Sequence, residues 1–129
     1  MSLFGVIQLV ITFIFVFAIM KYILPGRGVQ QITVNELKEK LDDENIQFID
    51  VRHPAKYARF HIYGFNNIPL SEVKKQAAKL SKDKEVITVC QTGMQGNQAC
   101  KKLKRLGFTN LANVRGGLST WTPIHIDRS

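Results

Sequence analysis

Apolar and polar positions divide the chain into one uniformly apolar stretch and a longer segment in which helical and strand periods alternate. Residues 3–24 are almost wholly apolar, interrupted at three polar positions, Gln8, Thr12 and Lys21. A helix of this length reaches about 33 Å at a rise of about 1.5 Å per residue, and the hydrocarbon core of a bilayer is about 30 Å thick. The pattern therefore predicts one transmembrane helix over residues 1–24, which ends at Pro25-Gly26.

Two other interpretations of the N-terminal stretch fit less well. A cleaved signal peptide has a basic region before its apolar segment and a small-residue cleavage site after it, and this stretch has neither. A buried core helix is the weaker alternative for a segment that is apolar on every side. Residues 1–20 contain no Lys or Arg, whereas basic residues follow at 21, 27, 38 and 40. The positive-inside rule then predicts a single-pass protein of the cell membrane with a cytoplasmic C-terminal domain.

After a predicted linker over residues 25–31, helical and strand periods alternate across residues 32–129. A capping box over residues 33–36 starts a helix, Pro54 suits the first turn of another, and Ser71 suits the N-cap of the next. The strand segments are 46–51, 86–89 and 110–114, with a short strand and turn near 66–70 and a helix over 95–106. Strands and helices that alternate at this spacing predict one α/β domain with a mainly parallel sheet flanked by helices.

Composition narrows the function without identifying it. The 129 residues carry a formal net charge of +8, which is typical of a solvated surface and also suits a position near anionic lipid. Two cysteines, Cys90 and Cys100, are too few for a disulfide framework and fit a reducing compartment. The histidines show no ligand spacing with these cysteines, so the sequence predicts no metal site and no cofactor. Basic residues without interleaved aromatic residues predict no nucleic-acid partner.

The segment around Cys90 carries the most specific chemical signal in the chain. An apolar, β-branched run ends on this cysteine, a short glycine-containing loop follows, and an amphipathic helical pattern then begins. A thiol at this place meets main-chain N–H groups and the positive end of a helix dipole, and both favour the thiolate. The sequence thus predicts a nucleophilic cysteine. This chemistry requires that the amides point at the sulfur and that the sulfur is reachable from solvent.

Several separate motifs, in the order found in a known family, cover residues 31–123. The first half resembles a rhodanese domain in four places: Phe48-Ile49-Asp50-Val51-Arg52, Tyr57, His61-Ile62-Tyr63-Gly64 and Asn67-Ile68-Pro69-Leu70. The second half resembles it in Val89-Cys90-Gln91-Thr92-Gly93, Leu106-Gly107-Phe108, Val114-Arg115-Gly116-Gly117 and Trp121. The resemblance implies a rhodanese-like fold and sulfurtransferase activity.

The family resemblance also implies a mechanism and a set of site residues. In this family a cysteine accepts a sulfane sulfur from thiosulfate or a persulfide, becomes a cysteine persulfide, and passes the sulfur to a second nucleophile. Carried onto this chain, the resemblance implies that Cys90 is the persulfide carrier. The substrate is then expected to contact the rest of the loop, which consists of Gln91, Thr92, Gly93, Met94 and Gln95. The implied partners are a small-molecule or protein persulfide donor and a thiol acceptor, without a cofactor.

Departures from the family pattern bear on substrate choice. Family loops often carry basic side chains where this chain has Gln91 and Gln95, and a small hydroxyl residue where it has Gly96. A loop without cationic side chains predicts weak binding of doubly charged thiosulfate and therefore favours a persulfide donor. Gly96 also argues against a cysteine phosphatase, which needs Arg there to hold a dianion. The alternative function is a non-catalytic rhodanese-like module that recruits a partner protein to the membrane.

Other side chains near the motifs are predicted to have supporting roles. Asp50 and Arg52 are interpreted as a structural ion pair near the site. Histidine can transfer protons near neutral pH, but His61 on a predicted strand is interpreted as a hydrogen-bonded structural residue. Cys100 is interpreted as a packing residue and Trp121 as a lid on the core. A basic cluster covers the helix after the loop and suits solvent, lipid headgroups or an acidic carrier protein: Lys101, Lys102, Lys104 and Arg105.

Overall fold

A five-stranded parallel sheet forms the centre of the domain that follows an N-terminal helix. The computed structural model describes residues 2–24 and 26–121, and the backbone of 126–127. The strands are β1 Val29–Ile32, β2 Ile46–Asp50, β3 His61–Ile62, β4 Asn66–Asn67, β5 Glu85–Val89, β6 Leu111–Val114 and β7 Ile126–Asp127. The α-helices are α1 Leu3–Ile23, α2 Val34–Lys40, α3 Pro54–Arg59, α4 Val73–Gln76 and α5 Met94–Arg105. Short 3₁₀ turns are Leu70–Glu72, Ala77–Lys79 and Gly117–Thr120, and β3 pairs with β7 in a separate antiparallel ladder.

The strand order places the end of β5 where the winding of the chain reverses. The order across the sheet is β1-β6-β5-β2-β4, so the chain leaves β5 toward β6 on one side and leaves β2 toward β4 on the other. Parallel pairing sets Asp50, at the end of β2, beside Val89, at the end of β5. In open α/β sheets, ligands bind beyond the carboxyl ends of the strands at such a switch point. The loops after β2 and β5 therefore border the expected site.

Apolar side chains cover both faces of the sheet, which explains why its central strands are continuous apolar runs in the sequence. On one face, Val86 belongs to a cluster with Leu103 of α5 and Phe108. On the other face, Ile87 belongs to a cluster with Leu37 of α2. Burial on both sides holds β5, and therefore the start of the loop after it, in a rigid frame. The predicted α/β fold with a parallel sheet is confirmed.

The predicted apolar helix is present as α1, and none of its residues is buried. By length and composition it is long and apolar enough to cross a membrane. Thr12 fits such a helix because its Oγ1 donates a hydrogen bond to the carbonyl oxygen of Gln8 at 2.9 Å, which satisfies the hydroxyl within the helix. The helix is capped at Leu24, and Pro25 lies outside the described residues.

Several local predictions are confirmed by the backbone. The capping box of α2 is present, with the Glu36 N–H donating to Thr33 Oγ1 at 3.2 Å and the Thr33 N–H donating to Glu36 Oε1 at 3.4 Å. Pro54 occupies the first turn of α3, where its missing N–H leaves no helical bond unmade. The motif residue Gly107, for which no local role was predicted above, follows α5 with a φ of 101°, in the left-handed region that ends many helices.

Two predicted boundaries are wrong. The linker predicted over residues 25–31 is shorter, because Val29–Ile32 pairs in parallel with Leu111–Val114 as an edge strand of the sheet. The two adjacent glutamines at the centre of that strand, Gln30 and Gln31, leave it without the alternation of apolar and polar residues that identifies a strand. Ser71 does not cap a helix; it lies inside a 3₁₀ turn that follows Pro69. Pro69, with a φ of −54°, is the N-cap residue of this turn, two residues before the predicted cap at Ser71.

Candidate active site

Cys90 directly follows β5, and two main-chain amides point at its sulfur. The Gly93 N–H donates to Cys90 Sγ at 2.9 Å, and the Gly96 N–H donates to the same atom at 3.3 Å. Gly93 has a φ of 102° and immediately precedes Met94, the first residue of α5. The sulfur therefore lies at the N-terminus of a three-turn helix, whose dipole favours negative charge there. The first requirement stated for a nucleophilic cysteine, amides that point at the sulfur, is met.

The Gly117–Thr120 turn fixes the orientation of the loop's first peptide groups. The Leu118 N–H donates to the carbonyl oxygen of Cys90 at 2.8 Å, and the Ser119 N–H donates to that of Gln91 at 3.0 Å. Because C=O and N–H point in opposite directions across a trans peptide, the next amides along the chain point away from the turn. A Cβ on Gly117 would lie 2.2 Å from the Cys90 carbonyl oxygen, so only glycine permits this approach.

The second requirement, a sulfur that solvent reaches, is not met in this conformation. Cys90 is only 1% exposed. The loop residues around it divide into exposed side chains and one buried glycine: Gln91, Thr92, Met94 and Gln95 are exposed, and Gly93 is buried. In this conformation the loop closes over the sulfur that its amides bind. Access to the sulfur from solvent therefore requires displacement of part of the loop.

A buried polar network behind the loop holds its carbonyls. Asn113 of β6 donates from Nδ2 to the Gly93 carbonyl oxygen at 3.1 Å and to Gln31 Oε1 at 3.2 Å. Thr88 Oγ1 lies 3.0 Å from Asn113 Oδ1 and 3.1 Å from the Gly96 carbonyl oxygen. A Cβ on Gly96 would lie 1.9 Å from Asn113 Oδ1. The buried Asn113 amide thus occupies the space that a side chain at position 96 would need.

This network was not predicted from the sequence, although two residues of the sequence pointed to it. Thr88 and Asn113 are polar residues inside apolar strands, and both are fully buried. Polar groups buried in that way need hydrogen-bond partners, and the loop carbonyls supply them. Both residues lie inside predicted strands, and the local sequence does not show their contact with the loop.

Cys100 is confirmed as a packing residue of α5. It is fully buried in the apolar cluster that also contains Ala99 and Leu103. Its Sγ lies 3.2 Å from Thr88 Oγ1. Burial raises the pKa of Cys100 to about 12, a rise that the hydrogen bond with Thr88 opposes and the nearby Cys90 reinforces. This thiol therefore stays protonated at neutral pH.

Asp50 and Arg52 form the ion pair that the sequence predicts, and it is almost completely buried. Arg52 donates from Nε to Asp50 Oδ1 at 2.9 Å and from Nη2 to Oδ2 at 2.7 Å. Nη2 also donates to the Phe60 carbonyl oxygen at 2.8 Å. Asn67 Nδ2 donates to the carbonyl oxygens of both Asp50 and Arg52 at 3.0 Å. The pair therefore fixes the path of the chain between β2 and β4.

His61 and Trp121 also take the structural roles that were predicted for them. His61 Nδ1 lies 2.9 Å from the Tyr57 carbonyl oxygen, and the His61 ring stacks on the Tyr57 ring with centroids 3.8 Å apart. Tyr57 in turn donates its hydroxyl to the Phe65 carbonyl oxygen. Trp121 is buried in the second core cluster, with Lys38 Nζ 5.4 Å from the centroid of its ring.

A pocket of about 430 Å³ opens beside the Cys90 loop, at the switch point of the sheet. It is lined by three basic residues, one aromatic residue and one residue of the loop: Arg52, Lys56, Arg59, Phe60 and Gln91. Cys90 itself is not part of the lining, and Gln91, its neighbour in the chain, is the residue of the Cys90 loop that lines the pocket. Among the described residues, no cluster of His, Cys, Asp or Glu is placed to hold a metal ion.

Some basic residues of α5 contact main-chain carbonyls near the end of α1. Lys101 Nζ donates to the carbonyl oxygen of Lys21 at 3.0 Å and to that of Tyr22 at 3.2 Å. Lys104 donates to the carbonyl oxygen of Arg27. The last carbonyls of a helix lack partners within it, so Lys101 caps the C-terminus of α1 from outside, whereas Lys104 contacts the segment that follows the helix. Part of the predicted basic cluster is therefore used within the chain.

Known proteins resemble this chain in sequence and in fold. A family model described as the rhodanese-like domain matches residues 33–123. The Bacillus subtilis protein YrkF is 35% identical over 96 residues, which are 74% of this chain and 52% of YrkF, so the chain spans about half of that relative. The Escherichia coli thiosulfate sulfurtransferase PspE is 41% identical over 71 residues, 54% of this chain and 68% of PspE. The crystal structure of a Staphylococcus aureus rhodanese-like domain protein superposes with a TM-score of 0.71 at 25% identity, covering 78% of this chain and 99% of that one.

Proposed function

The chain belongs to the rhodanese-like domain family of sulfurtransferases, and from this premise we propose that Cys90 carries a sulfane sulfur as a persulfide. The observation that carries the proposal is the pair of hydrogen bonds from the Gly93 and Gly96 amides to Cys90 Sγ. Both the attacking thiolate and the persulfide product are anionic. Convergent main-chain dipoles stabilise such charge without a metal or a cofactor.

The proposed reaction has two steps and is neutral in overall redox terms. In the first, the Cys90 thiolate attacks the outer sulfur of a donor persulfide, the new sulfur–sulfur bond forms, and the donor's own sulfur–sulfur bond breaks. The donor leaves as a thiol that keeps the proton. In the second step, an acceptor thiolate attacks the outer sulfur on Cys90 and releases the cysteine thiolate. A covalent intermediate of this kind gives ping-pong kinetics.

The neutral side chains of the loop favour a persulfide over thiosulfate as donor. Gln91 and Gln95 are exposed on the loop and carry no charge. Amide side chains bind an anion less strongly than guanidinium or ammonium groups do. Thiosulfate carries two negative charges beside its sulfane sulfur, so a neutral loop penalises it more than a persulfide.

The proposal includes a location at the cytoplasmic face of the cell membrane. The span over residues 1–24 would anchor the chain, and the domain that starts with β1 would follow on the side with the basic residues. The contacts of Lys101 with the carbonyl oxygens of Lys21 and Tyr22 support a domain held close to the end of the span.

Two experiments test this location. The intact mass of the membrane-extracted protein shows whether the span is retained, and protease access from each side of sealed vesicles shows the orientation. A mature chain that lacks the span would contradict this part.

Mass spectrometry of the full chain tests the persulfide. After incubation with a persulfide donor and removal of the excess, we expect a mass increase of one sulfur atom on the peptide that contains Cys90. The increase should be absent in Cys90→Ser and retained in Cys100→Ser, the matched control on the same chain. Loss of the increase in Cys100→Ser alone would overturn the assignment.

The burial of Cys90 favours a second candidate, a non-catalytic module that binds a partner protein at the membrane. Such a module needs the exposed loop but not its sulfur. One experiment, with the variant Cys90→Ser, distinguishes the two functions. A binding module would capture its partner equally well with Cys90→Ser and would form no persulfide, whereas a sulfur carrier loses its function with that substitution.

A further inference from the structure

We propose that the pocket between α3 and Gln91 is a carboxylate subsite for a small thiol persulfide. The negative group of such a donor would bind there while its sulfane sulfur reaches Cys90. The inference rests on the proposed persulfide chemistry and adds the class of donor. It assigns to α3 the cationic function that the loop itself lacks.

The charge of the pocket comes chiefly from one face of α3. Lys56 and Arg59 are three positions apart on the helix, so they lie on the same side of it. Both are exposed. Within the part of the chain that the structure describes, neither has a carboxylate at ion-pair distance, and no carboxylate lines the pocket. Two cations in one small concavity make a site for a bound anion.

Arg52 and Phe60 give the pocket a rigid wall. The Arg52 guanidinium is held by Asp50 and by the Phe60 carbonyl oxygen, and it lies 5.1 Å from the centroid of the Phe60 ring. Because Nε and Nη2 of Arg52 both donate to buried or main-chain oxygens, the wall keeps its shape without a ligand. The half-buried Phe60 ring offers an apolar surface to the carbon skeleton of a donor.

The place and size of the pocket select the donor. Gln91 belongs both to the pocket and to the Cys90 loop, whereas the cations belong to the neighbouring element. A suitable donor therefore carries its negative group several bonds from its sulfane sulfur. Thiosulfate is too compact for that arrangement. A volume of about 430 Å³ lies within the range of small-molecule sites, about 300 to 1,000 Å³, and suits an amino-acid or peptide thiol.

The test compares two donors on two charge-matched variants of the full chain in detergent. Glutathione persulfide carries free carboxylates, and its diethyl ester carries none. The double variant Lys56→Gln/Arg59→Gln removes two charges from the pocket. Lys74→Gln/Lys75→Gln removes two exposed charges from α4, outside the pocket. The readout is the ratio of the Cys90 loading rates with the free acid and with the ester.

We expect Lys56→Gln/Arg59→Gln to lower this ratio about tenfold, which corresponds to about 1.4 kcal/mol. The α4 variant should keep the ratio of the parent chain. An unchanged ratio in the pocket variant, or an equal fall in both variants, would overturn the subsite. A preference that only an acidic protein donor shows would overturn the assignment to a small donor.

A second measurement separates failure of the subsite from failure of the persulfide chemistry. S-methylglutathione keeps the carboxylates but cannot transfer sulfur, so calorimetric binding of this compound reports on the pocket alone. We expect about tenfold weaker binding to the α3 variant than to the α4 variant. If neither persulfide loads Cys90 but this difference is found, the proposed function fails and the subsite stands. Equal binding to both variants would overturn the subsite even if Cys90 is loaded.

Discussion

The surroundings of Cys90 and Cys100 differ although both thiols are buried beside the same helix. Cys90 Sγ accepts hydrogen bonds from two main-chain amides at the start of α5. Cys100, farther along α5, lies among Ala99, Leu103 and other apolar side chains. Its polar neighbours are the Thr88 hydroxyl and a main-chain carbonyl oxygen, that of Ala112, to which Sγ donates at 3.6 Å. Burial alone therefore does not decide what a thiol does. The direction of the dipoles around the sulfur decides it, because desolvation disfavours the thiolate and aimed N–H groups favour it.

The largest expected difference between the two cysteines is in alkylation of the native protein. With a pKa of about 12, only about 1 in 10,000 Cys100 thiols is ionised at about pH 8. We expect iodoacetamide to label Cys90, through opening of the loop, at least about 100-fold faster than Cys100. Peptide mapping by mass spectrometry measures both rates.

The same labelling in denaturant is the control for that comparison. Once the chain is unfolded, both cysteines should react at similar rates, because neither keeps its folded environment. Faster labelling of Cys100 in the native protein would contradict the comparison. Resistance of Cys90 to alkylation and to persulfide donors alike would show that the loop does not open.

The next largest effect is expected from Gly117→Ala, which acts on the Cys90 side alone. The new Cβ would lie 2.2 Å from the Cys90 carbonyl oxygen, and the φ of 57° is strained for alanine. The turn and the loop must separate, so the amides lose their aim at the sulfur. We expect about 100-fold slower persulfide loading and a loss of about 2 kcal/mol in the free energy of unfolding.

Gly64→Ala is the matched control for Gly117→Ala. Gly64 has a φ of 94°, but a Cβ there would have no atom within 4 Å. It therefore adds backbone strain without overlap at the loop. Loading by this variant should match that of the parent chain. Equal loss of loading in the two variants would show that general destabilisation, not displacement of the Cys90 carbonyl, is responsible.

Local chemistry explains which parts of the fold and the site were predictable. The strand that ends on Cys90 and the capping box at Thr33 each depend on a few consecutive residues, so periodicity and capping rules predict them. The edge strand Val29–Ile32 was missed because its partner lies more than 80 residues away in β6 and its own pattern is short.

The rest of the site depends on contacts that no local pattern contains. Arg59 of α3 lines the same pocket as Gln91 only because β2 and β5 are neighbours in the sheet. Asn113 reaches the Gly93 carbonyl oxygen only because β6 pairs on the other side of β5. The closure of the loop over Cys90 follows from bonds to a turn some 30 residues further along, which the glycine pair before Leu118 signals only weakly.

A smaller effect is expected in the dependence of stability on alkaline pH, which isolates the Cys100 side. Its pKa is raised in the folded state from an ordinary value of 9.0 to about 12. Below about pH 9 the thiol is protonated in both the folded and the unfolded chain, and its full contribution to the free energy of unfolding is present. Between about pH 9 and 12 the unfolded chain loses the proton first, so stability falls by up to about 1.4 kcal/mol per pH unit.

Denaturant unfolding of the parent chain and of Cys100→Ala measures that slope. Every ionisable group except Cys100 is present in both proteins, so the difference in the free energy of unfolding reports on Cys100 together with its coupling to Cys90. We expect the parent to lose stability more steeply than Cys100→Ala above about pH 9 and with the same slope below it. Parallel curves over the whole range would contradict the raised pKa.

The smallest expected effect comes from adding a side-chain charge to the loop that relies on main-chain dipoles. Gln95 is exposed in the first turn of α5. In Gln95→Arg, a cation near the loop should bind the thiosulfate dianion more strongly and raise Cys90 loading from thiosulfate about fivefold. The cost of a positive charge near a helix N-terminus is only about 0.3 to 1 kcal/mol, so folding should persist. Gln95→Glu is the control and should change thiosulfate loading in the opposite direction. A rise in both variants would mean that the substitution loosens the loop, and that the neutral side chains of the parent chain do not limit its choice of donor.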